Sequence, residues 1–417
     1  MTKHFRLALV VFAYVLNFAR AEEDENRAPP TEIPDFSNLD EYVYEPKSTL
    51  TLSMRRLTGV KTKFSGGGIL QSLNNPGAAT GSNFARTYAD GGVGVDGRVS
   101  NRVDSGGSPI IDPGSGSAIS DPIAPDGKTN TWSYTNATQA LPGSLLAFHD
   151  YTAAVIDPTV RAKDSTSASG VEVSVSRDMG KIFGTRMTWS LIAGVSLNDI
   201  YASTTDHVQA TISTLTDLYS LDGQVAPPVP YTAPSSVSTN ILDGNGNSLL
   251  NTDGSTQTTV SDTTVLLGNQ PVDRSVKDAV DNTSVSNRWK VHGSYLTFRG
   301  GPVVYIPLFN HLRASFSAGP AVFYAGSDYT VTQTYITELG TTIANESTTS
   351  VSHLLTGYFA DASLEFDLTD RAGFFAGAAF QASGSYSQKI DTDTEHYVTR
   401  IDLGNQQGLR AGMTIKF

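Results

Sequence analysis

Long stretches of the chain alternate between apolar and polar residues with a period of two, which predicts β-strands with one oily face. Such alternation fills the segments 187–198, 312–324, 352–368 and 371–386. In the last of these, one face carries Ala372, Phe374, Ala376, Ala378, Phe380, Ala382 and Tyr386, and the other carries Gly373, Gly377, Gln381, Ser383 and Ser385. Phe323 and Ile192 are exceptions, because they fall on polar faces. No sustained helical periodicity competes with this pattern, so we predict an all-β protein.

The length of the strands favours a transmembrane antiparallel β-barrel. Each apolar face runs over about 9 to 11 residues, the length that a tilted strand needs to cross a bilayer, whereas strands of globular proteins are usually about five or six residues long. Short turns, such as those at 309–311 and 368–370, alternate with long polar connections. A soluble β-sandwich also alternates, with its oily face packed on a second sheet, and it is the competing interpretation.

The alternating segments give an approximate strand count. From the C-terminus backwards the predicted spans are 397–417, 371–389, 352–368, 312–336, 288–308, 185–215, 170–178, 144–156, 131–139 and 49–64. We therefore expect about ten strands, an even number, as single-chain bacterial barrels require. Because segment 82–97 could add a pair and the spans nearest the N-terminus are weakly patterned, 8 or 12 strands remain possible.

The N-terminus carries an export signal. Lys3 and Arg6 form a positive region, residues 7–18 are apolar, and Ala19 and Ala21 supply small residues at a cleavage site. We predict a signal peptide over 1–21, a flexible acidic leader over 22–47 and a barrel over 48–417. Two polar, glycine-rich stretches near 65–130 and 222–286 are expected to be long external loops.

Composition excludes several classes of function. The chain has no cysteine, which rules out disulfides and thiolate chemistry. Its formal net charge of -12, with no basic patch, disfavours nucleic acid as a partner. No residue set predicts a cofactor or a bound metal. Residues 243–247 and 251–254 form a loose local echo of Asp, Asn and Gly, which we interpret as solvated turns, with a weak external calcium site as the alternative.

The last residues carry the most specific signal. An outward set alternates with Arg410, Gly412, Thr414 and Lys416, and it consists of Leu409, Ala411, Met413, Ile415 and Phe417. A final amphipathic strand that ends in Phe resembles the C-terminal assembly signal of bacterial outer-membrane β-barrel proteins, in general design those of the OmpA-like and OmpW-like small barrels. The resemblance implies export to the outer membrane, with outer-membrane lipid, periplasmic chaperones and the barrel assembly machinery as partners. The external ligand stays unknown.

Charged residues on the polar faces are expected to share the lumen. They are Arg299, Arg313, Asp361, Glu365, Asp367, Arg400, Asp402 and Arg410. Because unpaired charges in a narrow barrel are costly to desolvate, opposite signs on neighbouring strands should pair and close the lumen. We therefore expect a non-enzymatic protein, structural or surface-interacting through its external loops. A narrow porin-like channel for small solutes is the second hypothesis, and an outer-membrane hydrolase, a protease or lipase, is the third.

Overall fold

The fold was described from a computed structural model of the full chain. The structure describes residues 47–71, 74–164, 167–243, 248–251 and 255–417. The predicted signal peptide and the predicted leader, apart from Lys47, lie outside the described residues. Residues Lys47–Phe417 form one compact unit. None of the described segments forms a helix that is long and apolar enough to cross a bilayer.

The described residues form an all-β protein with one short 3-10 turn at Ala137–Gln139. In the first half of the chain the strands are β1 (Ser48–Thr58), β2 (Lys61–Gln71), β3 (Arg86–Tyr88), β4 (Gly91–Val93), β5 (Val99–Asn101), β6 (Ser120–Pro122), β7 (Lys128–Thr129), β8 (Trp132–Tyr134), β9 (Ala140–Leu141), β10 (Leu145–Val155), β11 (Arg161–Asp164), β12 (Ala168–Lys181), β13 (Thr188–His207) and β14 (Ala210–Ser220). In the second half they are β15 (Tyr231–Thr232), β16 (Ser236–Asn240), β17 (Thr258–Asp262), β18 (Leu267–Gly268), β19 (Asp273–Asp281), β20 (Val285–Phe309), β21 (Leu312–Ile336), β22 (Thr342–Asp367), β23 (Ala372–Ala382), β24 (Ser385–Asp391), β25 (Glu395–Asp402) and β26 (Gln406–Lys416).

Eight antiparallel strands close into a barrel in the order β1-β12-β13-β20-β21-β22-β23-β26. The ring is completed by β1 and β26, which pair from Thr49 with Lys416 to Thr58 with Gln407. The expectation of about ten strands is therefore too high, and the lower alternative of eight is what the structure has. The two surplus spans, 131–139 and 144–156, do not belong to the ring; their strands β8 and β10 belong to the two sheets described below.

The two ends of the barrel differ in their connections. At one end, here called the lower end, strands are joined by short turns at 182–187, 310–311 and 368–371, and the described chain starts and stops there with Ser48 paired to Phe417. At the opposite, upper end, the connection 337–341 is short, whereas the other three connections, 59–167, 208–284 and 383–405, contain all the strands that are not part of the ring. This asymmetry matches the predicted alternation of short turns and long connections.

Three barrel strands are interrupted at the upper end and continue as strands of a second sheet. β1 continues as β2 past Gly59, β23 as β24 past 383–384, and β26 is preceded by β25 across 403–405. Gly59 has φ +103, and a Cβ there would lie 2.1 Å from the carbonyl oxygen of Asn405, so only glycine fits this crossing. The interruptions reverse which residues point inward. Tyr386, predicted to share the outward face of 371–386, is buried inside for that reason.

The second sheet has the order β19-β14-β10-β2-β25-β24, with β9 and β11 attached to β10 and β2. A smaller sheet of order β15-β8-β4-β3 covers its far side. A hydrophobic cluster that includes Tyr88, Trp132, Phe148 and Tyr219 fills the space between these two layers. The upper end of the chain is therefore a folded head rather than a set of loose loops.

The polarity of the barrel wall inverts along the long strands, as β21 shows. In its lower half the outward residues are apolar, among them Phe316, Ala318 and Val322, and the inward residues are Arg313, Ser315, Ser317 and Gly319. In its upper half the outward residues include Asp328, Thr330, Thr332 and Thr334, and the inward residues are mostly apolar, namely Phe323, Ala325, Tyr329, Val331 and Tyr335, with Ser327 and Gln333 between them. Phe323, an exception in the sequence pattern, belongs to the upper core.

The same inversion occurs on β13 and β20 at a matching level. On the outward face of β13 the last apolar residue is Leu197 and the first polar residue is Asp199. On the outward face of β20 the corresponding residues are Leu296 and Ser294. Leu197 and Leu296 are direct cross-strand partners, so the change falls at one height on both strands. Below it the outward face forms an apolar belt, whose members include Leu50, Leu52, Met54, Val171, Val173, Val175, Leu191, Ala193, Val195, Leu197, Leu296, Phe298, Val304, Ile306, Phe316, Ala318, Val322, Tyr358, Ala360, Ala362, Leu364, Phe366, Phe374, Ala376, Ala378, Phe380, Leu409, Ala411, Met413 and Ile415.

Candidate functional site

A layer of buried charges crosses the lower lumen. Arg299 donates hydrogen bonds to both Glu172 and Asp361, and Arg410 donates one to Asp361 at 2.5 Å. Arg55 lies 3.2 Å from Glu172 and also donates to Ser196 and Gln381 at 2.9 and 3.0 Å. Each carboxylate is thus shared by at least two guanidinium groups, a geometry that offsets the cost of burying both signs of charge.

The structure brings five of the eight predicted lumen charges into the lumen. They are Arg299, Arg313, Asp361, Glu365 and Arg410. Arg313 donates to Glu365 at 3.0 and 2.8 Å, one strand away, as the predicted pairing of opposite signs requires. Asp367 faces inward at the lower mouth, where Lys416 binds it at 2.9 Å.

Two of the predicted lumen residues lie elsewhere, and two lumen residues were missed. Arg400 is exposed on the outward face of β25, and Asp402 accepts a hydrogen bond from the backbone of Gly404, because the break at 403–405 reverses the alternation counted back from Arg410. Glu172 was missed although it opposes Val171 and Val173 in the sequence. Arg55 was missed because the next residue, Arg56, is also an arginine, so each face of the strand carries one positive charge and the sequence does not show which of them points inward.

An aromatic core closes the barrel above the charged layer. It contains Phe64, Trp289, Tyr295, Phe323 and Tyr329, all fully buried. Tyr295 connects the two layers, because its hydroxyl donates to Gln406 at 2.7 Å and accepts from Gln381, which also binds Arg55. The lumen is therefore filled by the protein's own side chains from the charged layer to the head.

Below the charged layer the lumen opens into a small polar vestibule at the lower end. Its wall includes Thr49, Ser315, Ser363 and Thr414, and its inner end is formed by Arg410. The space left for water is about 30 Å³, enough for about two molecules.

In the head, a buried carboxylate ties three strands together, β3, β14 and β19. Asp217 on β14 accepts from the hydroxyl of Tyr88 at 2.5 Å and from two nitrogens of Arg274 at 2.6 and 2.5 Å. Tyr88 also shares a 2.8 Å hydrogen bond with the hydroxyl of Tyr219. Burial, and then the hydrogen bond to Asp217, raise the pKa of the Tyr88 phenol above its ordinary value.

Removal of the Tyr88 hydroxyl is expected to loosen the head. Tyr88→Phe leaves one acceptor position of a buried carboxylate empty, so we expect a loss of about 1.5 to 3 kcal/mol in local stability. Because the folded state keeps the phenol neutral, stability of the native head is full below about pH 10 and falls as pH rises above it, where an unfolded tyrosine ionises. Hydrogen exchange of residues 86–93 at pH 7 and about pH 10.5 measures both effects.

The matched control is Tyr201→Phe, which removes a hydroxyl from a half-exposed outward tyrosine of β13. We expect it to change exchange in the head by less than about 0.5 kcal/mol. Equal protection of 86–93 in wild type and Tyr88→Phe would show that the Asp217 network does not hold the head together.

Two β-fingers extend from the head, and they share one backbone design. In the first finger, residues 98–123, three residues form a closed cycle of backbone hydrogen bonds. The amide of Arg102 donates to the carbonyl oxygen of Ile119, the amide of Ile119 donates to the carbonyl oxygen of Ile110, and the amide of Ile110 donates to the carbonyl oxygen of Arg102, each at 2.8 Å. In the second finger, residues 235–264, Ile241, Gln257 and Leu249 form the same cycle of three hydrogen bonds, at 2.9, 2.7 and 2.8 Å. The bridges of Val103 to Pro109 and of Leu242 to Ser248 also correspond.

The sequence carries this duplication as well. Residues 104–112 (DSGGSPIID) and 243–251 (DGNGNSLLN) share one pattern. In both, Asp comes first and Gly fourth, the seventh and eighth residues are aliphatic, and the ninth is Asp or Asn. The echo within 243–254 is thus one copy of a longer pattern, and its partner lies in the other polar stretch. Residues 244–247 and 252–254 are outside the described part of the chain.

The equivalent aliphatic residues of the two fingers are exposed to the same extent. Val103 and Leu242 are each 55% exposed, Ile110 and Leu249 are 40% and 38% exposed, and Ile111 and Leu250 are 50% and 59% exposed. Side chains this exposed contribute little to folding, so their recurrence in both fingers is not explained by the core of the head. The second finger also has no Lys, Arg or Glu between residues 225 and 272.

Three histidines have local partners within the described residues. His149 does not pair with its neighbour Asp150; its Nδ1 lies 2.6 Å from Oδ2 of Asp90, whose other oxygen accepts from the His149 backbone at 2.8 Å. His353 faces inward beside Tyr386, whereas His396 is exposed on the outward face. The pairing of His149 with Asp90 holds the turn between β3 and β4 against β10.

Comparisons with known proteins are weak for this chain. No protein-family model matches it, and no curated protein matches it. Among solved structures, it is similar at 8% identity to the outer membrane protease OmpT from Escherichia coli, with 93% of this chain and 100% of that chain covered and a TM-score of 0.24. A FadL homologue from Pseudomonas aeruginosa matches at 8% identity over 89% of this chain and 90% of that one, with a TM-score of 0.18. Likeness at these TM-scores carries no argument about fold or function.

Proposed function

We propose that this chain is an outer-membrane β-barrel protein whose sealed barrel anchors a folded head outside the cell. The polarity inversion of the wall carries this proposal. Below the level of Leu197 and Leu296 the outward residues are apolar and the lumen is charged, and above it the order is reversed. If water surrounded both halves of the barrel wall, nothing would explain this reversal of polarity, whereas a bilayer around the lower half requires an apolar outer surface there.

The exposure of the belt supports the same placement. Met54 is 74% exposed, Leu409 is 70% exposed and Leu364 is 54% exposed, and no second protein layer covers them within the described unit. A continuous apolar ring of this kind is far beyond what a soluble monomer exposes. The lower end, with short turns, would face the periplasm, and the head would face outward, consistent with the predicted export signal.

The lumen supports an anchor over a channel. A solute that moved along the barrel axis would have to displace the paired charges of Arg299 and Asp361 and then the core around Tyr295 and Phe323. Both layers are packed and hydrogen-bonded, so the porin-like alternative loses support. The non-enzymatic hypothesis stays a proposal, in which the two fingers make contact with an external partner through their aliphatic tips.

Protease treatment of intact cells tests this proposal. With trypsin outside we expect cleavage after exposed Arg102 in the first finger, while the eight barrel strands stay protected. In planar bilayers the same protein is expected to give no steady conductance steps. Cleavage that needs a permeabilised outer membrane would place the head in the periplasm, and steady conductance would restore the channel hypothesis.

A variant with Arg102→Gln provides the matched control for the cleavage site. Arg102 pairs with Asp121 at the exposed surface, so its loss should leave the head folded and remove the fragment.

A further inference from the structure

The charges that face the lower lumen do not balance. In the connected ion pairs of the charged layer and the vestibule, four guanidinium groups face three carboxylates: Arg55, Arg299, Arg313 and Arg410 against Glu172, Asp361 and Glu365. The pair of Asp367 and Lys416 at the mouth is neutral. This network therefore carries one more positive charge than negative charge in a layer that is almost closed to solvent, which is costly unless an anion compensates the excess.

The excess is located at the vestibule side of the layer. Arg410 forms the inner end of the vestibule and is 6% exposed. Its two terminal nitrogens reach Asp361 at 2.5 Å and Glu172 at 3.4 Å, but both carboxylates are already bound by Arg299. Among the described residues, Nε of Arg410 has no hydrogen-bond acceptor, which is also true of Nε of Arg55 and Arg299, but of these three arginines Arg410 is the one that lines the vestibule.

The vestibule wall supplies further donors. Hydroxyl groups of Ser315, Ser363 and Thr414 line it beside Arg410. Glu365 also lines it, but its charge is neutralised by two hydrogen bonds from Arg313. A recess with a guanidinium at its end, hydroxyl donors around it and room for about two waters fits a monovalent anion of the size of chloride.

We propose that the vestibule binds a halide-sized anion between Arg410 and the surrounding hydroxyls. The anion balances the charged layer and completes the closure of the lumen from the lower end. This site depends only on the lumen and not on the external function of the head.

Chloride-35 NMR of the purified, detergent-solubilised full-length protein tests the site. Bound chloride broadens the resonance of the bulk ion, so wild type is expected to give saturable broadening that bromide displaces. Thr414→Val keeps the shape of the side chain and the charge of the layer but removes one donor, and we expect it to weaken binding about threefold to tenfold. Arg410→Gln removes the excess charge and is expected to abolish saturable broadening.

Lys416→Gln is the matched control, because it removes a positive charge at the mouth without touching the vestibule end, and it should leave binding within about twofold of wild type. Absence of saturable broadening in wild type would overturn the proposal, as would unchanged binding in Thr414→Val together with Arg410→Gln. If Arg410→Gln does not fold, the Thr414→Val comparison decides alone.

Discussion

Replacement of Asp361 by Asn is expected to destabilise the barrel by about 3 to 5 kcal/mol. Asp361 is almost fully buried and binds Arg299 and Arg410, so its neutralisation leaves three guanidinium groups, counting that of Arg55, facing one remaining shared carboxylate, Glu172. Removal of one partner from a buried ion network costs this much because the charge left behind cannot reach water. Urea unfolding in phospholipid vesicles, followed by the fluorescence of the buried Trp289, measures the loss.

Asp367→Asn is the control for this substitution. Asp367 also pairs with a cation, Lys416, but both side chains reach solvent at the mouth, so we expect less than about 1 kcal/mol. If Asp361→Asn and Asp367→Asn gave the same small loss, the charged layer would be hydrated, and the interpretation of a sealed lumen would be wrong.

An arginine in the middle of the apolar belt is expected to have the second largest effect. Ala193 is exposed on the outward face of β13, centred in the belt between Trp189 and Leu197. Ala193→Arg should cost about 2 to 4 kcal/mol in vesicles, because the guanidinium would have to enter the hydrocarbon. The lumen is not touched by this substitution, so the loss would report on lipid contact alone.

Thr205→Arg places the same side chain on the same face of the same strand, above the polarity inversion. Thr205 is exposed, and its neighbours on the outward face are Ser203, His207 and, directly across on β20, Arg288, so we expect a cost of less than about 1 kcal/mol from like-charge repulsion at the exposed surface. Equal costs for Ala193→Arg and Thr205→Arg would mean that the two positions share one solvent. That result would remove the reason for placing the belt in a membrane.

The sequence was informative where one face of a strand keeps one polarity for about ten residues. All eight ring strands overlap predicted spans, because alternation over that length is typical of a strand with two different surroundings. The larger head sheet has strands of 7 to 11 residues, and several of them lie in predicted spans that were assigned to the barrel. The small head sheet was not predicted, because strands of two or three residues, such as β4 and β15, are too short to show a period. They depend on partners that are distant in sequence, as β8 shows by pairing with both.

Which face points inward was harder to predict than the strands themselves. A period of two keeps the order of faces only while the strand is unbroken, so the interruptions at 383–384 and 403–405 put Tyr386 inside and Arg400 outside. Phe323 was the sign of the inverted polarity in the sequence, because it is an apolar residue on a polar face. A single exception of this kind does not reveal whether the outer surface passes from lipid to water at that level. The outward assignment of Leu409, Ala411, Met413, Ile415 and Phe417 agrees with the structure of β26, whereas their role in assembly stays a prediction.

The most direct test of the membrane placement is the accessibility of spin labels along β13. Single labels at outward positions 191, 193, 195, 197, 203 and 205 in lipid vesicles would be relaxed either by oxygen, which concentrates in hydrocarbon, or by a water-soluble nickel chelate. We predict that oxygen dominates at 191 to 197 and that the chelate dominates at 203 and 205, with the change near Asp199. Relaxation by the chelate at 193 and 195, or shielding from both reagents there, would show that the belt faces water or another protein layer.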